Sequence, residues 1–368
     1  MNKIAELRIK LRDRFIRLYT DDLVKISRRR QSNKNFKNRR PQMQPISSSQ
    51  KEEIKSFWEP YRKLGKEIRW FDFYNAFCED KRLLKYYIPE SIFFSEIDTY
   101  FSSARRSEAI DDKTLYDIFF PDIKMPQTIV RKVNGELLDK DFMPISLQHV
   151  IELCLAAGRA VGKEAILSSG GHGIHFFDFS SGSADLFIGW LNSTDNVIVQ
   201  HLIQQHETLN RLHNKSINSI RILSLLLDGK VHILSSFVRM GANGSIVDNT
   251  SSGGLACGIN RDGMLKEHAY DRLGRSFTQH PQGAVFKDMQ IPGYDKCCEQ
   301  ILSHAGRLCS VSRIISWDFA IDPDGNPVLI EVNLTYGGVN AHQMCNGPIF
   351  GEMTEEILSR VYHSESDK

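Results

Sequence analysis

The stretch from Ser316 to Asn333 holds the residue types best suited to chemistry. It reads SWDFAI-DPDGNP-VLIEVN, two strand-like runs around a turn-forming loop. If the loop closes Ile321 against Val328, Asp318 stands opposite Glu331. Alternation then places Trp317, Phe319, Ile321, Val328, Ile330 and Val332 on an apolar face. Asp318, Glu331 and Asn333 share the other face. Two facing carboxylates repel by ~0.2–1 kcal/mol. A divalent cation between them reverses that sign, and oxygen donors from Asp, Glu and Asn suit magnesium beside substrate phosphates. A surface hairpin with a solvated polar side is the competing expectation.

A second constellation, RAVGKEAILSSGGHGIHFFDF, spans residues 159–179. Two strand-like runs enclose Ser168, Ser169, Gly170, Gly171, His172 and Gly173. Such residues let backbone amides approach phosphate oxygens, and Lys163 supplies a point charge just before them. No Gly-Lys-Ser/Thr follows, so this is neither a Walker A loop nor a dinucleotide fingerprint. A plain hairpin loop is the alternative. Residues 248–254 (DNTSSGG) form another small, Gly-rich loop. The histidines show no metal-ligand spacing, and no GxSxG is present.

Two arginines flank another hairpin, IRILSLLL-DG-KVHILSSFVR. Regular pairing across Asp228-Gly229 sets Asn218 opposite Arg239 and puts Arg221 on the other face. Without a bulge, the two arginines cannot share a phosphate.

Strands, helices and hairpins interleave among the elements that must position these residues, so the class is mixed α and β, of the α+β kind. Ser146–Gly158 is the clearest helix, with a stripe of Leu147, Val150, Ile151, Cys154 and Leu155 and a glycine stop. Ahead of the mixed region, residues 1–24 read as an amphipathic helix with Ile4, Leu7, Leu11, Phe15 and Leu18 near one face. Residues 25–50 read as an irregular basic linker. A helix is expected from Ser49, with Glu52 completing a capping box and Pro60 ending it near Glu59.

Charge is divided unevenly. Residues 1–70 hold 20 Lys/Arg against 8 Asp/Glu, although the whole chain nets only +2. Residues 1–40, with 14 Lys/Arg and 4 Asp/Glu, predict attachment to an anionic membrane surface. A helix docked on its own protein, followed by a solvated linker, is the competing expectation. No groove-reading motif points to nucleic acid. No apolar run approaches the ~18 residues of a membrane span. Seven cysteines without a CxxC argue for reduced thiols and a cytoplasmic chain, with the inner membrane face as a peripheral location.

Taken in order, these pieces resemble the ATP-grasp superfamily. DKTLYDIFFPDIKMPQT, QHLIQQHETLNRLHNKSINSIRIL, DNTSSGGLACGI and WDFAIDPDGNPVLIEVNLTYGG look most like its sugar-transfer-associated branch, linked with surface-polysaccharide biosynthesis. The likeness covers roughly residues 72–355. It implies ATP and Mg2+ clamped between a lid and a C-terminal subdomain. The implied division is a basic helical extension (1–70), an N-terminal subdomain (71–125), a lid (126–200) and a catalytic subdomain (201–362).

By matching position, the resemblance assigns Lys113 and Lys163 to the ATP phosphates, with Gly170, Gly171 and Gly173 closing over them. Gln200, His201, Leu202 and Ile203 would be the hinge whose backbone meets adenine. Arg221 would face the transferred phosphoryl group. Arg239, Asn249, Gly253 and Gly254 would sit near the phosphate or acceptor, and Gly337, Gly338 and Asn340 would line the acceptor pocket. Asp318, Glu331 and Asn333 would hold magnesium. Two departures stand out. Where many relatives carry an acidic ribose ligand, this chain has Asn218 and Ser219. Where carboxylate-activating relatives often carry an arginine, it has Ser316. The implied reaction joins a small-molecule carboxylate to an amine or sugar acceptor through an acyl phosphate. A sugar kinase on the same scaffold is the alternative.

Overall fold

The computed structural model describes residues 23–37, 42–108, 110–166, 173–242, 244–248 and 253–363. Two antiparallel sheets organise the chain. The first is built from β1 (Thr128–Val133), β2 (Glu136–Asp139), β3 (Arg159–Glu164), β4 (Ile174–Asp178) and β5 (Val197–His201), in the order β2-β1-β5-β3-β4. The second is built from β6 (Ile220–Leu227), β7 (Lys230–Met240), β8 (Leu255–Ile259), β9 (Leu265–Tyr270), β10 (Ser276–Phe277), β11 (Ile314–Ile321) and β12 (Pro327–Asn333). Its order is β10-β9-β8-β7-β6-β11-β12.

The larger sheet is buried on both faces, which explains its near-continuous apolar strands. Ile220, Ile222, Trp317 and Phe319 enter one core with Ile301 of the helix Tyr294–His304. Leu223, Leu225, Leu227 and Phe237 enter the opposite core, with Trp58, Trp70, Phe71 and Ile357. The smaller sheet packs Val130, Val197 and Val199 against Val150, Cys154, Phe187 and Leu191 of two helices. The helix Leu147–Ala157 has Ser146 as its N-cap and Gly158 at φ +70° as its stop, as expected. Its buried stripe is narrower than expected, because Leu147 and Leu155 are exposed.

The N-terminal expectations need correction. The helix placed at residues 1–24 falls almost wholly outside the described residues. Residues 25–50 are not a linker throughout: Leu23–Lys37 is a helix. Its inner face repeats every four residues as Arg28, Ser32 and Phe36, all buried. An apolar-periodicity search misses this stripe, since two of its three members are polar, while Leu23 and Ile26 are exposed. Arg28 Nη1 donates to Asp98 Oδ2 at 2.8 Å and to the Phe94 carbonyl at 3.3 Å. Phe36 meets the Trp70 ring at 4.6 Å. The following helix runs Ser48–Trp58, with Ser47 as N-cap and Gln50, not Glu52, closing the capping box. Glu59 ends it, as Pro60 requires. Among the described residues, no helix is long and apolar enough to cross a membrane.

The Arg28–Asp98 pair is 1–2% exposed on each side. Removing one partner strands a buried charge. Arg28→Met should therefore lower unfolding free energy by about 3–5 kcal/mol in a denaturant titration. A loss below ~1 kcal/mol would mean that the N-terminal helix contributes little to the fold.

Candidate active site

The site starts with two irregular strand pairings. Between β6 and β7 the register slips after Leu223, so Arg221 faces Phe237 and Ile220 faces Val238. The Arg239 amide then donates to the Ser219 carbonyl at 2.8 Å. This bulge overturns the expectation that Asn218 faces Arg239 and that the arginines lie on opposite faces. Arg221 and Arg239 share one face and converge on one carboxylate. Arg221 donates to Asp318 through Nε at 2.7 Å and Nη2 at 2.6 Å. Arg239 Nη2 reaches Asp318 Oδ2 at 3.1 Å.

The second irregularity lies between Asp318 and Phe319, opposite β12. Asp318 faces Glu331 as expected. The hairpin nevertheless closes Ile321 against Pro327, not Val328. Ile330 is the extra residue, and its side chain lines the cleft, not the core. Leu329 takes the expected core place of Val328 and Ile330 beside Trp317 and Phe319.

The expected repulsion between facing carboxylates is also corrected. Asp318 is held by the two arginines, and Glu331 Oε1 lies 3.0 Å from Lys113 Nζ. Burial alone would raise the Asp318 pKa, but Arg221 and Arg239 overcome it and hold the group below its ordinary value. Asn333 Nδ2 approaches Asp318 Oδ2 at 3.4 Å. Asp318, Glu331 and Asn333 thus form one oxygen-bearing patch. Two carboxylates and an amide fit magnesium, provided that phosphate oxygens take over the cationic partners. Among the described residues, no cluster of three or more His, Cys, Asp or Glu offers a competing metal site.

Arg221, Arg239, Glu331 and Asn333 wall a cavity of about 1070 Å³ between the two sheets. Lys113, Lys163, His201, Leu202, Ile203, Arg221, Arg239, Glu331, Asn333, Gly337, Gly338 and Asn340 all line it. Lys163 Nζ donates to Gln200 Oε1 at 3.0 Å, and Gln200 Nε2 donates to the Pro126 carbonyl at 3.2 Å. Burial, then Lys113, pull the Lys163 pKa down to about 8. The turn bearing Lys113 is fixed by Asp112, which accepts from the Thr114 amide at 2.9 Å, and by Lys113 N to the Ala165 carbonyl at 3.1 Å. Gly173 sits at φ +76°, where a Cβ would come within 2.8 Å of Glu164.

Some expected residues are not brought in. Gly170, Gly171 and Asn249 lie outside the described residues. Gly254 is buried just before β8 and is not among the residues that line the cavity. Neither Asp318 nor Gln200 is an open wall of this cavity; Asp318 lies beneath the arginines and Gln200 behind Lys163.

Other cavity residues were not singled out from the sequence. Val161, Ile174 and Phe176 of β3 and β4, with Ile330, give the cleft apolar surface. Alternation on a half-exposed strand hid them, because Phe176 is 47% exposed and reads as an ordinary surface residue. Asp248 accepts from the Ser219 amide at 3.0 Å and from the Ser219 hydroxyl, and lies 3.6 Å from Arg239 Nε. Asp248 thus places a carboxylate beside Ser219 in the cavity wall. Asn218 is instead a buried brace, donating to Gln205, Leu209 and His213. Ser316 is fully buried, and a Cβ on Gly337 would approach its Oγ to 2.3 Å. An arginine has no room there.

A profile of the family described as sugar-transfer associated ATP-grasp matches residues 98–358. The chain belongs to that family. ATP and Mg2+ are therefore the enzyme's cofactors, and the cationic cleft with its oxygen patch suits both. None of the curated proteins matches the sequence. Similar solved structures include D-alanyl-alanine synthetase A from Vibrio cholerae O1 at 14% identity and TM-score 0.42, covering 72% of this chain and 66% of that one. An L-amino acid ligase from Bacillus licheniformis aligns at 13% and 0.41, covering 70% and 48%. D-alanine–D-alanine ligase from Bacillus anthracis aligns at 12% and 0.40, covering 72% and 71%. The chain thus spans just under two thirds of the first and about half of the second.

Lys163 yields a signed pH dependence. Its folded pKa, about 8, lies below its ordinary 10.5. Between those values the unfolded chain binds the proton that the folded enzyme has released. Stability without nucleotide should therefore gain a rising contribution from Lys163 across that window. The wild-type minus Lys163→Met difference in unfolding free energy, measured at pH 7.5 and pH 10, should increase with pH. Mg–ATP affinity should fall over the same range in wild type, because the neutral amine no longer attracts phosphate. A flat affinity profile would remove Lys163 from the phosphate site.

Proposed function

We propose that the enzyme is a carboxylate–amine ligase working through an acyl phosphate, and that it modifies a sugar or sugar acid of a surface glycan. One observation carries the catalytic part: four cationic side chains and an oxygen-bearing patch converge in one cleft between two sheets. Lys113, Lys163, Arg221 and Arg239 supply positive charge, and Glu331 and Asn333 stand among them with Asp318 beneath. That arrangement suits a triphosphate whose negative charge must be neutralised and aligned. The glycan context is suggested by the family's description alone.

In this reading the apolar residues Val161, Phe176 and Ile330 flank the base, beside the hinge from Gln200 to Ile203. Lys113 and Lys163 orient the phosphates. Arg221 and Arg239 bind the transferred phosphoryl group, exchanging Asp318 for phosphate oxygens. Magnesium, when bound by Asp318, Glu331 and Asn333, would supply further charge neutralisation. The substrate carboxylate oxygen attacks the γ-phosphorus, ADP leaves, and an acyl phosphate forms. An amine nitrogen then attacks the acyl carbon, phosphate departs, and the amine loses a proton to give the amide. The protein contributes mainly alignment and water exclusion.

Glu331→Gln tests the oxygen patch. It should cut turnover at least ~100-fold, equivalent to about 2.7 kcal/mol of transition-state stabilisation. Mg–ATP should raise the melting temperature of wild type, because ligand binding favours the folded state, and should do so less in the mutant. ADP release across amino acids and sugar acids, with products weighed by mass spectrometry, identifies the reaction. A stable phosphorylated product in place of an amide would establish a kinase instead.

A further inference from the structure

The helix Leu23–Lys37 precedes the family match, which starts at residue 98. It carries 6 Lys/Arg and no Asp/Glu. Its inner face is taken up by the fold: Arg28 pairs with Asp98, the Ser32 hydroxyl donates to Glu90 Oε2 at 3.2 Å, and Phe36 packs on Trp70. At about 100° per residue, the opposite face consists of Leu23, Ile26, Arg30 and Lys34. All four are exposed, Leu23 and Ile26 at 47% each. One outward stripe thus carries two large apolar side chains at its N-terminal end and two cations at its C-terminal end. Arg29 is met by Glu67, whereas Arg30 and Lys34 enter no ion pair among the described residues. Lys66 and Arg69, also exposed, widen the basic strip on one flank, where the Arg69 guanidinium lies 5.5 Å from the Phe36 ring centre.

We propose that this outward face docks the enzyme on an anionic lipid surface, with Leu23 and Ile26 entering the interface and Arg30 and Lys34 meeting phosphate headgroups. A soluble polyanion would use the cations but offer Leu23 and Ile26 no apolar medium. A lipid interface serves both. Each Lys or Arg at such a surface raises partitioning about fivefold. Residues 71–368 hold 27 Lys/Arg against 37 Asp/Glu, so the attraction is confined to this end and orients the molecule. That orientation reaches the cleft. Arg28, on the inner face of the same helix, lies 3.5 Å from the ring centre of Tyr336, a half-exposed residue of the cleft wall. Asp98 accepts from Arg28 at 2.8 Å and from the Tyr336 amide at 3.2 Å, which fixes the two together. Docking therefore sets this end of the cleft within about 10 Å, one helix diameter, of the headgroups. The docking stands independently of the ligase reading.

The test is sedimentation of the full chain with two kinds of vesicle, phosphatidylglycerol and phosphatidylcholine in equal parts, and phosphatidylcholine alone, at low and high salt. Wild type should bind the anionic vesicles far more tightly, and salt should weaken that binding. Arg30→Glu/Lys34→Glu should lower the affinity at least ~10-fold at low salt and make it less sensitive to salt. Leu23→Ser/Ile26→Ser should lower it ~10-fold while leaving the salt dependence in place. Melting temperature should be unchanged in both variants, because these side chains face away from the core, and this shows that they are folded. A short DNA duplex should bind wild type more weakly than the anionic vesicles do. No binding of wild type to anionic vesicles, equal binding to phosphatidylcholine alone, a loss confined to one double variant or shown by neither, or tighter binding of the duplex would overturn the proposal.

Discussion

Everything in the cleft is arranged around the grip of Arg221 and Arg239 on Asp318. The three side chains come from β6, β7 and β11, adjacent strands of one sheet, and meet within 3.1 Å. Such a cluster is costly to bury unless each charge is met. Burial disfavours the charge on Arg221, yet Asp318 holds its pKa above the ordinary arginine value. Two bulges make the meeting possible. One turns Arg239 onto the face of Arg221, and the other restores Asp318 to Glu331 after a shifted hairpin end. Regular strands would scatter these groups over both faces of the sheet.

The sequence made some of this legible. The facing of Asp318 and Glu331 follows from counting across a turn, because side-chain direction in strands has period two. The count succeeds only in part: it starts from a wrong closing pair, and the bulge at Ile330 absorbs the difference. The same counting fails for Arg221 and Arg239, since nothing in ILSSF marks Leu234 as an extra residue. Bulges are local backbone events with weak sequence signals, whereas turns such as Asp228-Gly229 carry strong ones. The N-terminal helix was hidden for a different reason. Its buried face is made from Arg28, Ser32 and Phe36, and polar residues on an inner face contradict the hydropathy pattern that reveals helices. Only tertiary partners such as Asp98 and Glu90 make that face a core. Lys113 and Lys163, by contrast, came from motif order, and the folded chain brings both to one cavity wall.

Ser316 and Gly337 show why a missing side chain can be structural in origin. The pair is packed so closely that Gly337 tolerates no Cβ, and Ser316 has no exposed surface. The chain entering the Tyr336–Asn340 wall runs directly over β11 at this point. A long cationic residue at position 316 would push that wall outward. The close approach therefore settles the path of the loop beyond Asn333.

In the free enzyme the charges of the cleft are satisfied from within: Asp318 by arginine, Glu331 by Lys113. If these residues bind nucleotide and metal as proposed, an arriving nucleotide competes with Asp318 and Glu331 for these cations, while an arriving divalent ion competes with the cations for the carboxylates. Each ligand alone breaks ion pairs and leaves one half of every pair without compensation. Together they exchange all partners at once. On that reading the cleft would act as a coincidence detector, with binding of either ligand thermodynamically coupled to the other and the coupling equal in both directions.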